Sequence, residues 1–413
     1  MTPLKLLEIV CRIIFAPSTL EKARLSARYF TRNRKMGFCD ALLFFLDMSK
    51  TSLQTRLNIF FKEKSDKLMS EQAFSALRNK FDHSPFETMQ RELVFEEYSP
   101  TNTKLLRWNG YFLLSVDGTY LLLPKNKALR EVFGTRGEGG RCVCAGVSVL
   151  YDVLNHFPIH PILTHSDMNE RKECANHIDF LRKELPFVAD KSLVLLDRGY
   201  PSAELFRYFN ENGVKFLARC AKNYSLATEN APLGDSVVTL SDRTTVRVYK
   251  FKLITGEIET LITNLFDIPC EEFPKLYAMR WGVEGFYFTL KKIVCVEKFS
   301  GRNEIAVRQD FWCSMVLMIA TAVFQRDADK VVQSKQEHKK NKHFYKTRTS
   351  DLVVNMRNHF IFSVCAQDNN AAIILDSLIA LCARSTTAIQ PDRHWKRVFP
   401  NASNRHNNLK SSL

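Results

Sequence analysis

The chain has 413 residues, 45% hydrophobic and 25% charged, the composition of a folded protein with a sizeable core and room for two or three domains. Its 59 Lys and Arg against 44 Asp and Glu leave a net charge of +15, which points to a polyanionic partner, nucleic acid ahead of a membrane surface. Lys5, Glu8 and Arg12 interrupt any signal-peptide core, the apolar stretch Phe311–Phe324 is short for a spanning helix, and eleven scattered cysteines hold no C-x-x-C pair, so the expectation is a reduced cytoplasmic protein with no membrane segment.

Residues 1–109 read as a helical N-terminal region. Phe38–Leu46 is an apolar helix, joined through Asp47-Met48-Ser49-Lys50 to a second over Thr51–Phe61, for which Thr51 and Gln54 offer a capping box. Ser70–Lys80 is a third, with Phe74 and Leu77 beside Arg78 and Lys80. Short basic helices around a tight turn can enter a DNA groove, and a small helical bundle has the same pattern.

The pattern changes at Gly110. Tyr111–Val116 is an apolar strand ending at Asp117; Cys142–Leu150 and Phe157–Leu163 are further strands. Asn169–Leu185 is helical, and Ser192–Leu196 is an unbroken apolar strand, hence central in its sheet, ending at Asp197. Ser202–Asn212 is helical and Val214–Ala218 a short strand. Three strands, then helix, strand, helix, strand make a mixed α/β sheet over 110–220.

Residues 221–268 look like a separate β-rich piece, with strands Thr245–Leu253 and Ile258–Leu265 around Thr255-Gly256. Helix resumes near Glu271, breaks at Ser300-Gly301 and runs on from Asn303, filling 269–334. The tail, 335–413, is basic: Lys335–Arg348 holds six cations against Glu337 alone, a run that is either a solvated face or a phosphate contact. Residues 1–110 carry 18 basic and 12 acidic side chains, and 326–413 carry 15 and seven. Nearly all the excess charge therefore lies outside the central region.

Asp117 and Asp197 each follow an apolar strand and precede a Gly within two residues. Two such carboxylates brought together would repel, and a hard divalent ion relieves that repulsion; the bland reading is that each caps a turn. On the helix near Glu271, Tyr277, Arg280, Glu284 and Lys291 fall within an arc of roughly 60° at ~100° per residue. Arg280 and Glu284 form an ordinary i, i+4 pair, yet Trp281, Phe286, Phe288 and Leu290 make the helix too apolar to lie idle on a surface. Metal plus phosphate would serve such a face.

The stretch Tyr277-Ala-Met-Arg280-Trp-Gly-Val-Glu284-Gly-Phe-Tyr-Phe-Thr-Leu-Lys291 resembles the Y-R-E-K signature of bacterial insertion-sequence transposases of the insertion sequence four family, with the spacing Y-x2-R-x3-E-x6-K met throughout. Ser-Val-Asp117-Gly-Thr and Leu-Leu-Asp197-Arg-Gly-Tyr resemble the blocks around that family's first and second catalytic aspartates. The resemblance covers about 110–300. It implies an RNase H-like fold with a β-rich insertion, between a helical N-terminal region and a helical basic C-terminal region.

It further implies that Asp117, Asp197 and Glu284 hold two divalent ions, Mg²⁺ with Mn²⁺ able to substitute, and catalyse cleavage at the element's ends followed by strand transfer. Tyr277, Arg280 and Lys291 would grip the terminal phosphates, with Arg198 and Lys292 as further DNA-binding candidates. The implied partners are transposon-end DNA with terminal inverted repeats, target DNA and a second copy of the chain in a synaptic homodimer, in a bacterial cytoplasm at the nucleoid. The competing readings are a nuclease of the same fold that cuts without joining, and a non-catalytic DNA-binding protein or inactive copy.

Two other clusters carry less. His156, His160, His165 and His177 lie close in sequence without zinc spacing, and Arg136 and Arg141 flank Gly137, Gly139 and Gly140 in a basic loop that lacks the strand-to-helix context of a nucleotide site. Cys142 and Cys144, two apart on a strand, are expected in the core.

Overall fold

A computed structural model describes residues 1–32, 34–47, 51–62, 68–221, 223–253, 255–337, 343–365 and 370–389. The chain forms two compact units, one of Met1–Glu97, Leu122–Val132 and Thr289–Leu413, the other of Tyr98–Leu121 and Phe133–Phe288.

The second unit is built on a sheet of nine strands among the described residues: β1 (Phe112–Leu122), β2 (Thr135–Arg136), β3 (Cys142–Asp152), β4 (Phe157–Thr164), β5 (Ser192–Leu196), β6 (Lys215–Cys220), β7 (Gly234–Thr239), β8 (Thr245–Lys252) and β9 (Ile258–Thr263). Their order is β2-β3-β1-β5-β6-β9-β8-β7, with β4 also on β3. β5 lies between β1 and β6, is parallel to both, and is buried at every residue, which is why its sequence is apolar without alternation. The mixed α/β class expected from the sequence is the one observed. β7, β8 and β9 form an antiparallel meander that joins the same sheet through the β6–β9 pair. Along β7 half-buried and exposed residues alternate, as in a strand with one solvated face.

Two helices of this unit follow their capping residues. Asn169 accepts from the backbone N–H groups of Arg171 and Lys172 and starts Glu170–Glu184; Ser202 accepts from Leu205 and starts Ala203–Glu211. One strand differs from expectation. β1 does not stop at Asp117 but runs on to Leu122. Gly118-Thr119 has turn composition, yet Gly118 is a strand residue kept free of side chain: a Cβ there would lie 2.6 Å from Glu170 Oε1 and 2.9 Å from Met168 Cε.

The first unit is helical. Pro3–Phe15, Pro17–Ala23, Phe38–Leu46, Leu53–Lys62, Glu71–Arg78 and Ser84–Glu97 gather with the long helix Glu304–Gln336. That helix has the length and apolarity of a spanning segment, and 83% of its apolar window is buried in the protein, as in a core helix. Ser52 precedes Leu53 and accepts from Thr55 N; Gln54 donates to Met69 O and Asn58 and accepts from Glu71 N. Met48, Ser49 and Lys50 of the expected turn lie outside the described residues.

The tail holds more structure than its composition indicated. Thr349–Cys365 and Ala371–Cys382 are helices, and β10 (Tyr345–Thr347) pairs antiparallel with β11 (Thr386–Ala388). Lys339, Lys340 and Lys342 of its basic run lie outside the described residues.

Arg78, one of the basic residues for which the sequence left DNA contact and a helical bundle open, is buried. Its guanidinium donates to Gln309 Oε1 (3.1 Å), Ser300 Oγ (2.8 Å), Ala306 O (3.2 Å) and Asp310 Oδ1 (3.0 Å). It therefore ties Glu71–Arg78 to the start of the long helix. Arg78→Ala would strand the Asp310 carboxylate, and removing one partner of a buried pair costs about 3–5 kcal/mol. The expected outcome is a loss of that size in the denaturant unfolding of this unit, and a loss below about 1 kcal/mol would contradict the role.

Candidate active site

Sheet register decides where the carboxylates of the second unit go. The parallel β1–β5 pair runs from Phe112↔Ser192 to Ser115↔Leu195. Asp117 and Asp197 each lie two residues past that last pair, so they stand level on neighbouring chain segments, with strands about 4.8 Å apart. Short bonds fix their bases: Gly118 N donates to Asp117 Oδ1 (2.9 Å), and Gly199 N to Asp197 Oδ1 (2.8 Å).

Glu284 comes from the helix Trp281–Phe288. Three contacts seat that helix on the sheet: Tyr287 Oη donates to Asp117 O (2.7 Å), the Tyr151 and Phe286 rings are 5.1 Å apart, and Gly282 leaves room for Val153, whose Cβ would lie 3.3 Å from a Cβ there. Burial pushes the Asp117 carboxyl up to about 7; Arg280 opposes this, Asp197 adds to it, Gly118 N–H opposes it, and Glu284 adds again. Two neighbouring carboxylates and one guanidinium are thus within electrostatic reach of Asp117.

The expected single helical face is not what forms. Phe273–Ala278 ends before Arg280, Trp281–Phe288 is a second helix, and Thr289–Ile293 is π-helical. A phase of ~100° per residue therefore does not carry from Tyr277 to Lys291. What survives is local. Arg280 Nη2 donates to Glu284 Oε1 at 2.7 Å, and the guanidinium lies 5.8 Å from the Tyr277 ring centroid and 5.7 Å from that of Trp281. Tyr277 is buried, and burial pushes its phenol up to about 12, with Arg280 and Arg219 opposing.

Lys291 and Lys292 sit on the π-helical turn, in the other unit by contact. Lys291 is half-buried, and burial lowers its ammonium with Glu297 opposing; Lys292 is exposed. Arg198 is exposed and, with Arg219 and Glu259, lines a groove of about 460 Å³ at the ends of β5 and β6. Arg219 Nη2 and Glu259 Oε2 are 3.1 Å apart.

Four residues of this neighbourhood escape sequence reasoning. Glu170, the first helical residue after its cap, reaches Gly118, and its Oε2 would lie 3.7 Å from a Cβ on Gly199; burial raises its carboxyl, with Asp197 adding. Tyr200 is fully buried, its hydroxyl without a hydrogen-bond partner among the described residues, in electrostatic reach of Asp117 and Glu170. Tyr287 and Arg219 are the others. No spacing rule marks any of them, since each reaches the site through tertiary packing.

The donor set is carboxylate throughout, which fits a hard divalent ion such as Mg²⁺ and not zinc. Among the described residues no group of three or more acidic, histidine or cysteine side chains is arranged to hold a metal ion; Glu284 is engaged by Arg280, and Asp117 feels the charges of both Asp197 and Glu284. The Tyr200 hydroxyl and the buried Arg280 Nε, both without a hydrogen-bond partner among the described residues, are polar atoms of the kind that hydration or a phosphate oxygen satisfies.

The other clusters resolve into structure. His177 contacts His160 (Nδ1 to Nδ1, 2.9 Å) and Ser148 Oγ (2.9 Å), while His165 pairs with Asp167. Arg136 donates to Ser166 O and covers the Tyr120 ring at 3.9 Å, so it supports the glycine loop's base. Cys144 is buried and Cys142 half-buried on β3.

Residues 108–320 match the family model described as the transposase DDE domain. A similar solved structure is the cryo-EM structure of piggyBac transposase synaptic complex with hairpin DNA, at 13% identity over 92% of this chain and 84% of that one, with a TM-score of 0.47. No curated protein sequence matches the chain.

The Asp117 shift has a measurable sign. The folded protein keeps this proton up to about pH 7, whereas the unfolded chain releases it at the ordinary carboxylate value, so this group's contribution to stability falls as pH rises through that window. Asp117→Asn is neutral at every pH. Without divalent ions the Tm gain of the variant over wild type is expected to be larger at pH 8 than at pH 5 and smallest near pH 4, where Asp117 is protonated in the fold; equal differences at all three pH values would contradict the shift.

Proposed function

The chain belongs to the transposase DDE domain family, and from that premise we propose that it cleaves DNA at the ends of its own insertion sequence and joins the freed strand to target DNA. The observation that carries the reading is the level placement of Asp117 and Asp197 past the β1–β5 register, with Glu284 and Arg280 in electrostatic reach. Enzymes of this family use divalent metal ions; here Asp117, Asp197 and Glu284 would hold two, Mg²⁺ with Mn²⁺ as a substitute. When bound, such ions activate an attacking oxygen and stabilise the leaving one in an in-line phosphoryl transfer.

The side chains divide the remaining work. Asp117 and Asp197 supply negative charge from a rigid sheet, so the site needs little reorganisation. Arg280 holds Glu284 in place, and its Nε has no acceptor among the described residues, which suits it to a phosphate oxygen. Tyr277 packs against the guanidinium. Lys291, Lys292 and Arg198 are assigned to the DNA backbone as point charges, with water as the first nucleophile and the freed 3′-OH as the second.

At the coarser scale we assign residues 1–109 to end recognition, 110–220 and 269–334 to the catalytic core, 221–268 to the β-rich insertion and 335–413 to non-specific affinity. The membership we infer within the family is the insertion sequence four group, on the Tyr277, Arg280, Glu284 and Lys291 spacing, with terminal inverted repeats as ligand and a synaptic homodimer as the working form.

The test is strand cleavage on DNA carrying the element's flanking ends, with and without Mg²⁺, for wild type and Asp117→Ala. The expected result is nicks at the element boundary that need the metal and vanish in the variant, followed by joined product with target DNA. Cutting without joining would reduce the reading to a nuclease. Binding without cutting in either Mg²⁺ or Mn²⁺ would overturn it.

A further inference from the structure

A second cationic groove lies in the helical unit, lined by residues other than those assigned above. Leu122–Lys125 forms one wall of a groove of about 450 Å³, and Glu297–Arg302 forms the other. Both walls belong to the same compact unit, and two bonds hold them: Leu122 N donates to Glu297 Oε1 (3.0 Å) and Asn126 Nδ2 to Arg302 O (3.0 Å). Each wall is thus tied to the other by a bond between a side chain and a backbone group.

Its charge is one-sided. Segments 122–132 and 289–302 carry seven Lys and Arg against Glu131 and Glu297. Glu297, the carboxylate of the lining, is already engaged by Leu122 N and faces Lys291. Lys125, Lys298 and Arg302 line the groove, Lys125 and Arg302 being exposed and Lys298 half-buried, and none of the three forms an ion pair among the described residues. Elsewhere in the unit cations near carboxylates are paired, as Arg308 is with Glu304 and Lys330 with Asp327. Three unpaired cations on a rigid polar groove make a site for successive anionic groups, and a phosphodiester backbone presents such groups at regular spacing.

We propose that this groove binds the sugar-phosphate backbone of duplex DNA, as a sequence-independent clamp. The proposal rests on the DNA-processing function given above and adds to it a contact outside the carboxylate site. Both walls continue chain segments that bear that site: Asp117 precedes Leu122 by five residues and Glu284 precedes Glu297 by thirteen. The groove reads no bases, because its cations carry charge without a fixed acceptor pattern.

The test is fluorescence anisotropy of the full chain on a duplex, over a range of salt concentrations, for wild type and the triple variant Lys125→Ala, Lys298→Ala, Arg302→Ala. Each phosphate contact contributes about 0.9 to the slope of log K against log salt, so the variant slope is expected to be shallower by about 2 to 3. Affinity should fall to the same degree on end DNA and on unrelated DNA. A control with three exposed lysines of the sheet unit replaced, Lys183→Ala, Lys191→Ala, Lys252→Ala, should keep the wild-type slope.

Wild-type binding with an unchanged slope in the groove variant overturns the groove alone. An equal loss in the control also overturns it, by assigning the effect to net charge. A wild type that binds no duplex at any salt concentration overturns the DNA-processing function and the groove together. Thermal melting of both variants, expected at the wild-type temperature, separates lost contact from lost fold; a slope change seen only with a lowered Tm would count against the groove.

Discussion

The register of the parallel β1–β5 pair is the constraint on which the proposed chemistry depends. Parallel strands held by backbone hydrogen bonds cannot slip by one residue without turning every side chain to the other face. With β5 buried at all five positions, such a slip is heavily penalised. Asp117 and Asp197 are therefore kept level by the whole hydrophobic core of the sheet unit, and their mutual repulsion is imposed by the fold. Burial and neighbouring charge then raise the Asp117 carboxyl, which gives the pair a reason to take up a cation.

The second element is the Arg280–Glu284 bond. It pairs the third carboxylate at 2.7 Å, while one donor of the guanidinium has no partner among the described residues. A buried guanidinium with a free donor is costly unless something anionic completes it. The break at Arg280, between Phe273–Ala278 and Trp281–Phe288, leaves that side chain in a turn, not on a continuous helical face. Tyr287 anchors the same helix to the backbone of Asp117, so the third carboxylate is positioned from the strand that bears the first.

Much of this was legible in the amino-acid sequence where a residue's role follows from its own segment. Ser192–Leu196 announced a central strand by apolarity, and the caps Asn169 and Ser202 announced their helices. Legibility fails where a partner is distant. Gly118-Thr119 has the composition of a turn, and only the approach of Glu170 and Met168 explains a glycine inside a strand. Whether Arg78 faced DNA or a helical bundle stayed open in the sequence because nothing in its helix reveals Asp310, some 230 positions on. The helical face from Tyr277 to Lys291 assumed uniform α geometry, and a break and a π-helical turn intervene. Glu170 and Tyr200 join the aspartates through packing that no local spacing encodes.

The proposed chemistry stands or falls on whether Asp117, Asp197 and Glu284 bind divalent ions. Calorimetric titration of the full chain with Mn²⁺, in the absence of DNA, tests it most directly by comparing wild type with Asp117→Asn and with Asp197→Asn. The expected result is saturable binding in the wild type that is lost or strongly weakened in each variant, with the fold unchanged by circular dichroism. Binding of equal affinity and stoichiometry in all three proteins would contradict the claim.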